Sequence, residues 1–420
     1  IRTPATDLKN KNSVKNDAGL KDNGPESLPT GFFSYRESLF ASAVIFVLFA
    51  YTAIAIVIPF ALHNNLYAWD GAGLYFSSWY TKEYLFPEPI GWNPYFLMGY
   101  AQNQFYPPLY PYLSALLGQF IPLEWAFKAI LIIAIMLMPV SFYFCGRAFG
   151  FGKAKSAAAS AFMLALLFLF PGNYYGGNMH ATFKVGLFAN AVALVLFFFY
   201  AGALMKMCQD KSKKIIIPTA LFALIILTHT VTALAALILL VSFTIWKILD
   251  KGSFAAPAAL VSLATLATLG KHFLLSFFLT AFWVLPAVAK LGYSSVVPIG
   301  ELAEPAIIAG VSIAVLTYSI IRKNGFAPIP LFAILVVLVS SLANLTGVAM
   351  HPYRFMMYIY LFGAMAAFML YPGVTKQKEK SESELAGADK DGKKNRAGLA
   401  STIMGFLESP VRAISKIGSV

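Results

Sequence analysis

The most informative stretch of this chain follows the first apolar segment and reads, from Trp69 to Leu113, WDGAGLYFSSWYTKEYLFPEPIGWNPYFLMGYAQNQFYPPLYPYL. It is dense in aromatic residues, Gly and Pro, and Asp70 lies near its start. Connections of this length are uncommon unless they form a functional site or contain short helices of their own. The stretch therefore predicts an ordered loop that carries the site, and the apolar segments around it determine the fold class.

The composition identifies a membrane protein. Of 420 residues, 59% are hydrophobic, 15% aromatic and only 12% charged. Repeated apolar runs near bilayer length predict an all-α, polytopic helical membrane bundle of about ten transmembrane helices. The formal net charge of +13 would suggest a nucleic-acid partner in a soluble protein. Because the Lys and Arg residues cluster between apolar runs, the charge instead indicates membrane topology, with the bilayer as partner and no nucleic acid.

Apolar runs and positive clusters predict a multi-pass protein of the cell membrane with both termini cytoplasmic. The predicted crossings are residues 39–62, 125–145, 156–170, 183–205, two within 215–246, 272–288, 306–321, 326–348 and 355–371. Residues 63–124 form the large first outer loop, in which 71–86 and 109–120 are predicted interfacial helices. An inner interfacial helix is predicted at 254–270, directly before the seventh span. The positively charged residues that fall on the outer side are Lys82, Lys128, Lys184, Lys290 and Arg354.

The chain is predicted to have four regions. These are a disordered polar cytoplasmic tail (1–36), a transmembrane domain (37–373), a charged linker (374–398) and a possible amphipathic helix (399–420). Cys145 and Cys208 both fall near the predicted cytoplasmic side, so neither a disulfide framework nor a cysteine metal site is expected.

The fifth and sixth spans share about 32 residues, although each crossing needs roughly 20. Their predicted hairpin is therefore short. Its tip, Thr228-His229-Thr230, is expected to stop below the outer surface, where it suits the floor of an external cavity.

Four of the five histidines fall on the predicted outer side, and His272 falls on the inner side. Ionisable groups at membrane depth usually face a bundle interior or an aqueous cavity. The alternative is that these amphipathic rings simply lie at the interface. The outer histidines are His63, His180, His229 and His351.

Asp70 is the strongest candidate for a catalytic residue. It is the only aspartate on the predicted outer side and lies at the mouth of the bundle, where one carboxylate could remove a proton from an alcohol. The alternative is a helix N-cap before the predicted interfacial helix, a position that would also fix the side chain.

Arg354 lies in the sequence HPYRF at the outer start of the last span. A guanidinium there could bind a phosphate through paired donors, or it could reach a lipid headgroup instead. Lys184 and Lys290 are weaker members of the same positive set. Glu83 or Glu88 could act as a second acid or a metal partner, although such loop residues are more often solvated.

Several activities lack their usual motifs in this sequence. It contains no Walker A pattern, no HExxH, no cysteine-rich metal signature and no GxSxG. Nucleotide-driven transport and zinc proteolysis are therefore not supported.

The polar start, the first span, the early Asp70, the segment GWNPYFLMGYAQNQFYPPLYPYL, the Thr-His tip and HPYRF together resemble a known group. It comprises membrane proteins of the 6-pyruvoyl-tetrahydropterin synthase-related type, within the C-type (GT-C) glycosyltransferase superfamily. The name does not imply pterin chemistry. The resemblance implies a GT-C-like transmembrane domain that moves a sugar from a polyprenyl-phosphate donor to an acceptor hydroxyl on the extracytoplasmic face. The acceptor can be a glycan, a lipid or a protein.

The resemblance also implies the roles of residues. Asp70 is the expected general base of a single inverting displacement, and Arg354 is expected to stabilise the phosphate leaving group. No cofactor is certain, and a divalent metal stays possible, although Tyr75 and Phe76 stand where many relatives have a second acidic residue or a His. The expected substrate-binding residues are Arg354, His229, Lys184, His180, His351 and Tyr106.

A non-enzymatic lipid or solute transporter, or a membrane scaffold with the same external cavity, is the alternative. Transporters often contain paired repeats and spans broken by Gly or Pro at corresponding positions. The sequence contains no clear repeat, although Pro139 and Pro218 could kink the second and fifth spans.

Overall fold

The structure is a computed structural model that describes residues 30–62, 69–95, 98–169, 177–209, 214–249, 256–290, 312–314, 317–318, 327–345 and 353–370. The predicted linker and amphipathic helix lie outside these ranges, as do His63, His351 and nearly all of the predicted polar tail and eighth span. The chain divides into two units. The first contains Ile1–Ala236 and Thr268–Ser294, and the second contains Leu237–Ala267 and Ser295–Val420.

The described residues are mainly helical, which confirms the all-α class. In the first unit the elements are α1 (Thr30–Thr52), a π-helical turn (Ala53–Val57), α2 (Ile58–Leu62), α3 (Trp69–Tyr80), a second π-helical turn (Thr81–Leu85), β1 (Gly91–Asn93), β2 (Tyr100–Gln102), α4 (Leu109–Leu117), α5 (Leu123–Ala148), α6 (Lys153–Leu169), α7 (Met179–Val185), α8 (Phe188–Gln209) and α9 (Ile216–Thr228). Two long helices, α10 (Thr230–Leu249) and α11 (Ala256–Ala289), contribute to both units. The second unit adds α12 (Pro328–Leu345) and α13 (Tyr353–Leu370).

Five of the described helices are long and apolar enough to cross a membrane, and three shorter apolar helices accompany them. This supports a membrane protein with several apolar helices, while the number of crossings stays a prediction. The five candidate spans are Arg36–Leu62, Leu123–Ala148, Phe188–Gln209, Thr230–Leu249 and Ala264–Ala289.

Helix α5 organises the first unit, where it packs against α1, α4, α6 and α8. Phe142 of α5 meets Phe198 of α8 edge-to-face, with ring centroids 4.9 Å apart, and both side chains are fully buried. Small residues on α6 allow a close approach, so the Ser160 hydroxyl donates to the Pro139 carbonyl across 2.7 Å. Because lipid tails are as apolar as these side chains, close packing rather than removal from water holds such helices together.

His272 joins three helices of the first unit. Its buried ring lies 3.0 Å (Nε2) from the Tyr200 hydroxyl of α8 and 3.1 Å (Nδ1) from the Thr219 hydroxyl of α9. Both ring nitrogens therefore have partners inside an apolar bundle, where an unsatisfied polar group would be costly. We assign this histidine to helix packing.

Two predicted boundaries were wrong. The predicted fourth span starts at Phe183, but that residue belongs to α7, which ends at Gly186 in a left-handed conformation (φ 86°) before α8 begins at Phe188. Glycine adopts this conformation without a steric cost, and the surrounding apolar residues conceal the break in the sequence. The predicted inner interfacial helix and seventh span form one continuous helix, α11, because Gly270 inside a helix costs only about 1 kcal/mol.

The second unit contains a helix pair in its described part. Helices α12 and α13 pack on each other, and the rings of Phe332 and Phe362 meet edge-to-face with centroids 5.6 Å apart. Both rings are buried, so this contact lies at the centre of the pair.

Lys128 is a buried charge on α5. Its side chain is 2% exposed, and its Nζ lies 2.7 Å from Glu124 and 3.4 Å from the carbonyl of Ala61 near the end of α2. Positive charge is favourable at the C-terminal end of a helix. The ammonium also lies over the rings of Phe60 and Trp125, with 5.9 Å and 5.4 Å to their centroids. Lys128 therefore connects α5 to the end of the first span.

We expect Glu124→Gln to destabilise the protein more than Lys128→Met does. Removing the carboxylate leaves a buried ammonium without its counter-charge, whereas removing the ammonium leaves a carboxylate that is 39% exposed and can be hydrated. The cost of Glu124→Gln should be about 1 to 2 kcal/mol, less than for a fully buried pair because of that exposure. Denaturation of the purified protein in mixed micelles measures both variants. A larger loss for Lys128→Met would contradict this account.

Candidate functional site

Asp70 lies in the first turn of α3, and its side chain is exposed. An acidic side chain in this turn interacts favourably with the helix macrodipole. Helix α3 packs against α4, α5 and α7, with Leu74, Ser78 and Tyr80 among its buried residues. The helix is therefore held on the bundle, and Asp70 has a defined position with an exposed side chain.

A small antiparallel hairpin follows α3, which the sequence analysis did not predict. Strands β1 and β2 pair Gly91 with Gln102 and Asn93 with Tyr100. The buried Asn93 amide donates to Gln102 Oε1 across 2.8 Å, and the Tyr100 hydroxyl donates to the same oxygen. Gly99 (φ 96°) turns the chain directly beneath the Trp92 ring, where an added Cβ would come within 2.4 Å of a ring carbon.

Asn103 connects this hairpin to the rest of the first unit. It has a left-handed backbone (φ 62°), and its Nδ2 donates to Thr81 Oγ1 and to the Pro89 carbonyl, both across 2.9 Å. Its Oδ1 accepts from Gln102 Nε2 across 3.0 Å, and its carbonyl accepts from Trp283 Nε1 of α11 across 2.9 Å. One side chain and one carbonyl thus fix the loop to the π-helical turn that follows α3 and to α11, which contains a candidate membrane span.

A group of aromatic rings lies between α3, the π-helical turn after it and the hairpin. Rings of Trp79, Tyr80 and Tyr84 contact Tyr95 of the hairpin, and Tyr80 stacks on Tyr84 with centroids 5.0 Å apart. Burial and the neighbouring Tyr95 raise the pKa of Tyr80. The hydrogen bond to Tyr95 raises the pKa of Tyr84. These phenols therefore stay protonated at neutral pH and act here as hydrogen-bonding groups rather than as bases.

Helix α7 presents two candidate residues together. The Asn178 side chain caps its start by accepting from the Ala181 N–H across 2.7 Å, and Gly186 ends it. His180 and Lys184 are both exposed, and their spacing of four residues places them on one face of the helix. Since α3 packs on α7, the helix that carries Asp70 lies beside the helix that carries this pair.

His229 lies at the predicted break between two helices. It is the one extended residue (φ −158°, ψ 119°) between α9 and α10, which confirms the position of the break. Its Nδ1 lies 2.8 Å from Thr232 Oγ1 and accepts from the Thr232 N–H across 3.4 Å. We therefore assign the proton of the neutral ring to Nε2. Thr232 also bonds to Asn190 Oδ1 across 3.4 Å, and this contact connects the break to the first turn of α8.

The remaining candidates are distributed differently. Tyr106 is exposed in the connection between β2 and α4. Arg354 is exposed in the first turn of α13, in the second unit. His351 lies outside the described residues. The structure thus places Asp70, His180 and Lys184 on neighbouring helices of the first unit, whereas Arg354 belongs to the second unit.

The residues that hold the site in place were not predicted from the sequence. The run Gln102-Asn103-Gln104 and the lone Asn190 in an apolar helix were visible signals, because amides in such surroundings need partners. Trp283 could not have been found, since its bond to Asn103 joins positions far apart in the chain. Within the described ranges, no three His, Cys, Asp or Glu side chains group as a metal site.

Comparison with protein families identifies a membrane-protein family. The model of the 6-pyruvoyl-tetrahydropterin synthase related domain, a membrane protein, matches residues 103–382. The match thus begins at Asn103, after Asp70, and includes the expected substrate-binding residues. No curated protein and no solved structure matches the chain. Because the matched region covers well over half of the sequence, the chain belongs to the 6-pyruvoyl-tetrahydropterin synthase-related family of membrane proteins.

Proposed function

We propose that this protein is an inverting membrane glycosyltransferase of the GT-C type, which moves a sugar from a polyprenyl-phosphate donor to an acceptor hydroxyl. The acceptor is a glycan, a lipid or a protein of the cell envelope. A lipid-linked donor accounts for an enzyme embedded in the bilayer, because its isoprenoid chain stays in hydrocarbon while its phosphate reaches the polar rim. In this proposal about ten spans cross the cell membrane, both termini are cytoplasmic, and the site faces outward.

The observation that carries the proposal is the position of Asp70. Its carboxylate is exposed on a helix that is packed on three others, and two exposed nitrogen-bearing side chains lie on the neighbouring helix. A general base must reach the proton that it removes, and a nearby set of positive or donor groups suits a phosphate. The aromatic rings next to α3 can additionally pack on the apolar faces of a sugar.

The proposed reaction is one displacement. The Asp70 carboxylate takes the proton of the acceptor hydroxyl, and the acceptor oxygen forms a bond to the anomeric carbon of the donor sugar. The bond between that carbon and the phosphate oxygen breaks on the opposite face. Its electron pair remains on the polyprenyl phosphate, and the configuration of the sugar inverts.

The leaving phosphate needs positive charge or hydrogen-bond donors. Lys184 supplies an ammonium, His180 lies one turn before it, and His229 can donate through Nε2. Arg354 is proposed as the main phosphate ligand from its sequence position and exposed side chain, with His351 and Tyr106 as further substrate contacts. A divalent metal stays possible, and no step of the proposed reaction passes through it.

We expect Asp70→Asn to reduce sugar transfer by about 10² to 10⁴, the usual loss for a general base. The assay uses purified protein, radiolabelled polyprenyl-phosphate sugars and a membrane extract as the source of acceptor. Glu37→Gln is the control, because it removes an exposed carboxylate of α1 that has no proposed role in the reaction. Donor binding and the thermal unfolding midpoint should be unchanged in Asp70→Asn. Full activity in this variant refutes the assignment.

We expect Arg354→Gln and Lys184→Gln each to slow transfer, by about 10² for a donor that acts on developing charge. Lys82→Gln serves as control, since its ammonium is paired with Glu83. If Arg354 only contacts lipid headgroups, its variant will unfold at a lower temperature but transfer sugar at the normal rate. That combination would remove Arg354 from the site.

The proposed orientation is tested by labelling single cysteines in intact cells, after replacing Cys145 and Cys208. A cysteine at His180, which is exposed on α7, should react with an impermeant maleimide from outside. A cysteine at Lys214, exposed directly before α9, should react only after the membrane is permeabilised. Labelling of both positions from the same side would overturn the proposed topology.

A further inference from the structure

A cavity with both apolar and polar lining lies at the ends of α1, α5 and α6 that carry Ser38, Tyr143 and Lys153. It has a volume of about 370 Å³ and is lined by Ser38, Ser42 and Ile45 of α1, Val140 and Tyr143 of α5, and Lys153 of α6. The sequence places this end of the three helices on the cytoplasmic side of the membrane. The proposed transfer reaction makes no use of these residues.

The charge in the cavity comes from Lys153. Its ammonium donates to the Ser38 hydroxyl, a neutral partner on another helix. The side chain is half-buried, and an ammonium has three N–H donors, so an anionic group can be bound beside Ser38. Within the described residues, no carboxylate is among those that line the cavity.

Further positive residues flank this cavity. Arg36 lies two residues before Ser38 on α1, with the exposed Glu37 between them, and Arg147 lies one turn beyond Tyr143 on α5. The first residues of α6 add Lys155, whose ammonium lies 5.2 Å from the centroid of the Phe151 ring. The surrounding charge is therefore mainly positive, as an anionic ligand requires.

The two parts of the cavity differ in polarity. Ser38, Ser42, Tyr143 and Lys153 supply hydroxyls and an ammonium, whereas Ala41, Ile45 and Val140 are apolar. Ile45 lies farther than the two serines from the start of the candidate span Arg36–Leu62, and Val140 lies farther than Tyr143 from the end of α5. A phospholipid has the same order of groups, with a phosphate at the interface and acyl chains below it. Basic pockets between helices on the cytoplasmic side are typical binding places for anionic headgroups.

We propose that this cavity binds the phosphate headgroup of an anionic phospholipid from the cytoplasmic leaflet. Lys153 binds the phosphate, Ser38, Ser42 and Tyr143 bond to its oxygens or to the glycerol, and the acyl chains lie along α1 and α5. The lipid connects α1 to α5 and α6 on the side of the membrane that the transfer site does not use.

The test measures lipid binding to the full-length protein by native mass spectrometry, after delipidation in detergent. Phosphatidylglycerol and phosphatidylcholine with identical acyl chains are compared, and inorganic phosphate is added as a competitor. Lys153→Gln should weaken phosphatidylglycerol binding by about tenfold or more, the usual effect of losing one hydrogen bond to a charged group. Lys214→Gln is the matched control, since it removes an exposed lysine of the same predicted side.

Ser42→Leu provides a second variant that keeps every charge and fills the cavity, and it should also displace the lipid. Three results would overturn the proposal: equal binding of the two phospholipids, equal losses in Lys153→Gln and Lys214→Gln, or displacement of the lipid by inorganic phosphate at millimolar concentration. Sugar transfer is measured separately, so a failure here is distinct from a failure of the proposed enzymatic function.

Discussion

The candidate site depends on the hydrogen bonds of one asparagine. A loop that lies over a helical bundle has backbone groups without helical partners, and such groups need other partners when they are buried. Two such groups are paired at Asn103: the Pro89 carbonyl accepts from its side-chain amide, and its own carbonyl accepts from Trp283. The same amide also bonds to the side chains of Thr81 and Gln102. These bonds hold the hairpin against α11 and against the π-helical turn that directly continues α3. Since α3 carries Asp70, the amide also fixes the end of the helix on which the proposed chemistry relies.

Polar groups within the bundle follow the same constraint. His272 uses both ring nitrogens to join α8, α9 and α11, and Lys128 has a carboxylate, a carbonyl and two rings as neighbours. An isolated polar group in hydrocarbon costs several kcal/mol, so each of these side chains permits few alternative packings. Their contribution is to specify one arrangement of helices that are otherwise covered by interchangeable apolar residues.

Sequence patterns predicted those parts of the fold that depend on local composition. Apolar runs located the five candidate spans among the described helices. The Thr-His-Thr tip located the break at His229, because a run too long for one crossing must turn, and a polar segment is where it turns most easily. The hairpin was missed because strands of three residues have no detectable periodicity. The boundary of α8 was missed because a single glycine, Gly186, ends α7 inside an apolar run. Asp70 was predicted to precede the helix as a possible N-cap, but α3 already begins at Trp69, so the residue lies inside the first turn. Its neighbours on α7 are a result of tertiary packing, which the sequence does not encode locally.

The start of the family match at Asn103 is not a structural boundary. Asn103 bonds backwards in the chain to Thr81 and Pro89, which precede the matched region, and forwards to Trp283, which lies within it. A chain that began at Asn103 would keep Trp283 but would lose the partners of the amide, leaving buried donors without acceptors. The segment that contains Asp70 is therefore part of the same folded unit as those residues of the matched region that belong to the first unit. If catalysis depends on Asp70, the family match alone covers the helices that support the site but not the carboxylate that acts in it.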